Sequence, residues 1–284
     1  MKSNLQLNES GFVLGNARVL VAESQAAYGA GNGVAGPGQG SAVIDGTADV
    51  AEAAQVGCFN QATGTHARIT AYEDCTVIAF RGTASLRDWI TDAEFPLRSL
   101  PGTKGRVHAG FWQAVESVLG AIQARVGGGA TTGGTVVCDG KPMVLTGHSL
   151  GGALAVLAAF RLANLGYPVR AVYTFGQPRV GDRAFAEAYA ARLGARTFRA
   201  VNQNDVVPRV PGVLLGYHHA GVEAFINVTG RLVLNPSLAG HLVSDALGLY
   251  RAYRRLEDVL ITDHFVDRYV AALREAQRTD GKER

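Results

Sequence analysis

The chain has 284 residues, 47% of them hydrophobic and 18% charged, and carries a net charge of +3. That balance supplies a full core and excludes a disordered chain, and the length fits one α/β domain over 1–284. Lys and Arg are scattered, which argues against a nucleic-acid surface, and no apolar run approaches the ~18 residues of a membrane-spanning helix.

The first eleven residues are polar and lack the apolar centre of a signal peptide, which fits a cytoplasmic chain or one whose leader lies outside this sequence. Periodic apolar residues over 12–28 predict a helix, and a Gly-rich loop over 29–40 follows. Gly31-Asn32-Gly33-Val34-Ala35-Gly36 fits a dinucleotide-binding pattern, but that fingerprint needs a strand before it and a helix after it. Here a helix precedes and Pro37 follows. Strands are expected over 67–72 and 76–80, joined through Glu73-Asp74 as an antiparallel hairpin. A helix over 107–126 comes next, then a Gly/Thr-rich loop over 127–134. From there the pattern alternates: strand 143–146, Ala/Leu-rich helix 152–165, strand 169–175, helix 182–193 and strands 196–201 and 221–228. A mostly helical tail spans 241–276. This alternation predicts a largely parallel sheet covered by helices. Cys58, Cys75 and Cys138 show no spacing suited to a disulfide framework or a zinc site. Cys75 and Cys138 each end an apolar run and read as buried thiols, with one disulfide left open.

Gly147-His148-Ser149-Leu150-Gly151 fits Gly-x-Ser-x-Gly. In that pattern a serine sits on a sharp strand-to-helix turn, and the glycines are needed because a Cβ would strike neighbouring backbone. The flanks agree: a strand enters, and Gly152-Ala153-Leu154-Ala155 offers small residues for a closely packed helix. The alternative is an ordinary Gly-rich strand–helix turn. A serine hydroxyl needs a base and an acid, and in this fold class they follow the serine, acid first. That order sets aside His66 and His108. It leaves His218, His219, His241 and His264, with acids from Asp182 to Asp263. Asp205 stands out because it follows the C-terminal end of strand 196–201, where functional groups gather in parallel sheets. Asp182 reads as the N-cap of the next helix. Position alone leaves the histidine open: His264, at a loop-to-helix junction, is balanced against a surface helix-terminal histidine.

Further segments occur in a recognisable order around this motif. They are Val77-Ile78-Ala79-Phe80-Arg81-Gly82-Thr83 with Asp88-Trp89, Val107-His108-Ala109-Gly110-Phe111, and Tyr173-Thr174-Phe175-Gly176-Gln177-Pro178-Arg179. Asn204-Asp205-Val206-Val207-Pro208-Arg209 with Gly216-Tyr217-His218-His219, and Asp263-His264 with Tyr269, complete the set. Together they resemble the class 3 lipases, the group of the filamentous-fungal triacylglycerol lipases, over about 65–275. The resemblance implies an α/β-hydrolase fold, with a mostly parallel central sheet flanked by helices and a short helical lid at about 84–92. It implies Ser149 as nucleophile, Asp205 as acid and His264 as base. Thr83 joins the N–H of Leu150 in the oxyanion hole, and Leu86, Trp89 and Ile90 form the apolar face of the lid. The region 230–261 is longer than in the fungal enzymes, and the first sixty residues match weakly.

The implied chemistry is ester hydrolysis through an acyl-enzyme. The substrate would be a triacylglycerol at an oil–water interface, with phospholipid or feruloyl-type esters as alternatives and a non-catalytic binding protein as the rival outside enzymes. It needs no cofactor and no metal. The resemblance implies secretion.

Overall fold

The computed structural model describes residues 1–29, 54–83, 96–100, 102–127, 140–237 and 262–282. Numbering the described elements in chain order, the helices are α1 (Leu14–Gly29), α2 (Ala109–Val126), α3 (Leu150–Asn164), α4 (Arg183–Leu193) and α5 (Val266–Lys282). The eight strands of the main sheet are β1 (Ala54–Asn60), β2 (Thr65–Ala71), β3 (Thr76–Phe80), β6 (Met143–His148), β7 (Val169–Phe175), β9 (Thr197–Asn202), β11 (Val222–Ile226) and β12 (Leu232–Leu234). They lie in the order β1-β2-β3-β6-β7-β9-β11-β12. The run from β3 to β11 is parallel, and β1, β2 and β12 add antiparallel edges.

Strand alternation sends apolar side chains to both faces. Ile78, Leu145 and Val172 face one core with Val115 and Ile122 of α2, Leu157 of α3 and Phe185 of α4. Val77, Val144 and Tyr173 face the other, with Leu20 and Val21 of α1 and Leu273 of α5. Strand β6 is buried at all six positions, as a central parallel strand covered on both faces must be. Helix α3 is buried nearly all round, and Ala153, Ala155, Ala158 and Ala159 let it lie close to β6. Between the layers Thr146 Oγ1 donates to the Tyr173 carbonyl (2.8 Å) and contacts Ser24 Oγ (2.9 Å).

The expected hairpin is present in register, Ile69 opposite Ile78. Strand β1, with Gly57 and Cys58 in its centre, has no clean alternation, and the sequence reading passed over it. A second, four-stranded sheet was also missed. It is formed by β10 (Tyr217–His218), β8 (Gly181–Asp182), β5 (Arg106–His108) and β4 (Leu97–Ser99), pieces of two or three residues too short to carry periodicity. Part of the helix expected from 107 is this strand β5; α2 begins at Ala109, with His108 as its N-cap accepting from the Phe111 N–H (3.2 Å). Asp182 caps α4 as expected, accepting from the Phe185 N–H (3.0 Å). Cys58 and Cys75 are buried thiols, neither in a disulfide among the described residues, and Cys138 lies outside those residues.

Candidate active site

Strand β6 delivers Ser149 into a turn whose backbone few L-residues adopt, φ 59° and ψ −131°. The reason is packing. A Cβ on Gly151 would strike the Phe80 carbonyl of β3, and one on Gly147 would strike the Gly151 backbone. With three elements in contact, positions 147 and 151 have no room for a side chain, and the turn is held by Ser149 N–H to the Phe175 carbonyl (2.8 Å). Ser149 does not cap α3 with its side chain; its carbonyl takes the Gly152 N–H (2.9 Å), and the Leu150 N–H opens the helix as the donor for an incoming acceptor. Thr83 lies three residues beyond β3, whose last residue Phe80 pairs with Gly147. The oxyanion candidates Thr83 and Leu150 thus follow two strands, β3 and β6, that pair side by side.

The acid and base candidates come from the next loops of the sheet. Asp205 follows β9, and His264 lies just before α5. His264 Nδ1 donates to both carboxylate oxygens of Asp205 (2.8 and 3.0 Å). Tyr269 Oη donates to Asp205 Oδ2 (2.6 Å), and the Val207 N–H donates to Oδ1 (2.9 Å). Asp205 is fully buried and His264 is 1% exposed. With Nδ1 committed as a donor, Nε2 is the bare nitrogen whenever the His264 ring is neutral. Among the described residues, that atom and Ser149 Oγ are both buried without a hydrogen-bond partner. Burial and the nearby Asp205 charge raise the Tyr269 hydroxyl well above its ordinary range, so it stays a donor. Burial also raises the Asp263 carboxyl, with the Asp205 charge adding to the shift, although the Asn204 backbone N–H donates to it (3.4 Å).

Two further residues belong to this geometry and were not read from the sequence. Gly176, at φ +61° after β7, leaves the space that Asp205 and His264 fill: a Cβ there would lie 2.8 Å from Asp205 Oδ2 and 2.9 Å from His264 Nδ1. Its position after a strand was the only available signal. Tyr28, at the end of α1, places its hydroxyl 2.8 Å from His148 Nδ1, and His148 Nε2 lies 2.6 Å from the His264 carbonyl. No local pattern reports a contact 120 residues apart.

Three of the other candidates are engaged elsewhere. Asp182 pairs with Arg106 (3.1 Å) and Glu223 with Arg199 (3.4 Å), while His219 Nε2 donates to the Pro208 carbonyl (2.7 Å). His241 and the lid segment with Leu86, Trp89 and Ile90 lie outside the described residues. A cleft of about 640 Å³, lined by Trp112, Phe160, Arg161 and Arg192, opens near the C-terminal end of α3, the far end from Ser149. Among the described residues no cluster of His, Cys, Asp and Glu suits a metal, and no helix is long and apolar enough to cross a membrane.

A mostly parallel sheet with helices on both faces, and a serine on a glycine-flanked elbow after a central strand, define an α/β-hydrolase. Residues 77–215 match the family Lipase (class 3). Over that segment, about half of its length, the chain is similar to the class 3 lipases. It is 38% identical over 152 residues to secreted mono- and diacylglycerol lipase 1 of Fusarium solani, covering 53% of this chain and 44% of that protein. It is 32% identical over 186 residues to the chloroplastic phospholipase A1-Igamma1 of Arabidopsis thaliana, covering 55% of this chain and 35% of that one. Among solved structures, the Rhizomucor miehei lipase–propeptide complex superposes with a TM-score of 0.54 at 30% identity, covering 64% of this chain and 60% of its own. The chain thus spans less than half the length of these two curated relatives.

Proposed function

We propose that the protein hydrolyses carboxylic esters of lipids, with triacylglycerol as the leading substrate class, through an acyl-enzyme on Ser149. One observation carries the reading. His264 is held by Asp205 with its Nδ1 proton committed, while its Nε2 and Ser149 Oγ are both buried and otherwise unbonded. Ser149 attacks the ester carbonyl as His264 Nε2 takes its proton. Asp205 holds the ring and balances the charge it acquires, and His264 then returns the proton to the leaving alcohol. A water attacks the acyl-enzyme by the same route in reverse. The N–H of Leu150 and the N–H and hydroxyl of Thr83 receive the developing oxyanion, each donor worth about 3 kcal/mol in the transition state.

An interfacial substrate is supported by the surface next to the acid loop. Val213, Leu214 and Leu215 are 54, 99 and 57% exposed on one tight turn, and Phe265 beside His264 is 54% exposed. That loop is pinned rather than floppy: Arg179 donates to the Arg209 and Pro211 carbonyls, and its backbone N–H to that of Val210. Exposed apolar side chains on a fixed knob gain free energy when they enter a lipid phase. The likeness to a phospholipase A1 favours phospholipid esters as the second substrate class.

The test is Ser149→Ala. Loss of ester hydrolysis by about 10⁴-fold or more, together with loss of fluorophosphonate labelling, is expected. Activity near wild type would overturn the proposal. Hydrolysis rates on emulsified triglyceride, on phosphatidylcholine vesicles and on soluble p-nitrophenyl esters then rank the substrate classes.

A further inference from the structure

Tyr28 has no part in the chemistry above, yet its hydroxyl joins two of the segments that carry it. On one side it accepts the Gly82 backbone N–H. Gly82 has no room for a side chain, because a Cβ would strike that hydroxyl and lie 2.8 Å from the His148 carbonyl. On the other side the hydroxyl is 2.8 Å from His148 Nδ1, and His148 Nε2 is 2.6 Å from the His264 carbonyl. A carbonyl oxygen only accepts, so Nε2 carries the imidazole proton. Nδ1 must then accept, and Tyr28 must donate to it. A single arrangement of protons satisfies the whole chain of bonds, which makes it directional and stiff.

We propose that Tyr28 and His148 are positioning residues: the chain Gly82 N–H, Tyr28 hydroxyl, His148 ring, His264 carbonyl holds the oxyanion segment and the base in register around Ser149. The inference rests on the catalytic reading above. Each link borders one proposed working part, since Gly82 precedes Thr83, His148 precedes Ser149, and the last acceptor belongs to His264 itself. The ring is also suited to its place electrostatically. Burial, reinforced by the charge His264 can carry, pushes His148 down to about 3. It therefore stays neutral, with its ring centroid 4.6 Å from that of His264, and sets no second positive charge against the imidazolium that forms during turnover. Helix α1, far from the elbow in sequence, becomes part of the catalytic framework by this route.

Tyr28→Phe removes only the hydroxyl. The measurement is kcat per active site on soluble p-nitrophenyl butyrate, with sites counted by phosphonate titration so that unfolded molecules drop out. The expected result is a fall of about tenfold or more in kcat with KM changed less than about twofold, the signature of misplaced groups rather than lost binding. The acidic limb of the kcat/KM profile should stay in place, because Asp205 and Tyr269 still hold the ring. His148→Gln offers an amide N–H toward His264 and an oxygen toward Tyr28, so it should keep more activity per site than His148→Leu. Should the leucine variant fail to fold, Tyr28→Phe still decides. An unchanged kcat per site in Tyr28→Phe would overturn the inference. Activity surviving in Ser149→Ala would instead sink the reading beneath it, so the two failures are distinguishable.

Discussion

The two halves of the candidate site are built by different forces. On the serine side, backbone packs against backbone: Gly147 and Gly151 exist so that β3, β6 and α3 can touch. On the acid–base side the groups are held by directional bonds, with Tyr269, Val207 and His264 all donating to one buried carboxylate. Packing of the first kind is inseparable from the fold, because the same contact closes the core and shapes the elbow. The second kind can be loosened while the core survives. Damage to the serine side should therefore appear as lost stability, and damage to the acid–base side as lost turnover.

Gly151→Ala should produce the largest effect on stability, a loss of about 3 kcal/mol or more, because the Phe80 carbonyl it would strike belongs to a central strand. Urea denaturation measures it, and a midpoint near wild type would break the comparison. Gly176→Ala should divide the other way. Its positive φ costs about 1–2 kcal/mol, while the Cβ pushing on Asp205 and His264 should cost about 100-fold in kcat per titrated site. Equal percentage losses of folded protein and activity would contradict that split. Tyr269→Phe leaves Asp205 one donor short and the Asn202 N–H without its acceptor (3.1 Å). A stability loss of about 1–3 kcal/mol and a kcat fall of about tenfold are expected, with KM held.

A last effect, spread over several pH units, is the pH dependence of stability that His148 imposes. An unfolded histidine takes a proton near pH 6.5, whereas burial keeps the folded ring neutral to about 3. Between these values the unfolded state binds more protons, so stability falls as pH is lowered through that window, by up to about 1.4 kcal/mol per pH unit. Asp263 opposes this, since its raised carboxyl binds a proton in the folded state first, but only near the carboxylate range. His219, which burial and the Arg199 and Arg179 charges push well below its ordinary value, acts in the same sense. Urea midpoints at pH 7, 6 and 5 should therefore decline, less steeply in His148→Gln than in the parent, and equal slopes would show that His148 is not held neutral.

Legibility followed the same division. The elbow was readable because packing demands leave local marks: glycines at fixed spacing, a strand before and small residues after. The parallel order from β6 to β9 was readable from alternating apolar runs, which also set Asp205 at a strand end. Choosing His264 took the family resemblance, because its partner is 59 residues away and a hydrogen bond leaves no periodicity. Tyr28 carried no local mark at all, and Gly176 none beyond its place after a strand. The strands of the small sheet were unreadable because two or three residues hold no period.

The backbone of Ser149 has a consequence for how such a protein changes over generations. A non-glycine residue at φ 59° and ψ −131° stores on the order of 1–3 kcal/mol of strain, which glycine would relieve. A Ser149→Gly form should thus be dead toward esters and at least as heat-resistant as its parent. Under selection for survival at high temperature alone, Ser149 is among the first residues a lineage gains by losing; only continued demand for the proposed reaction keeps it in place.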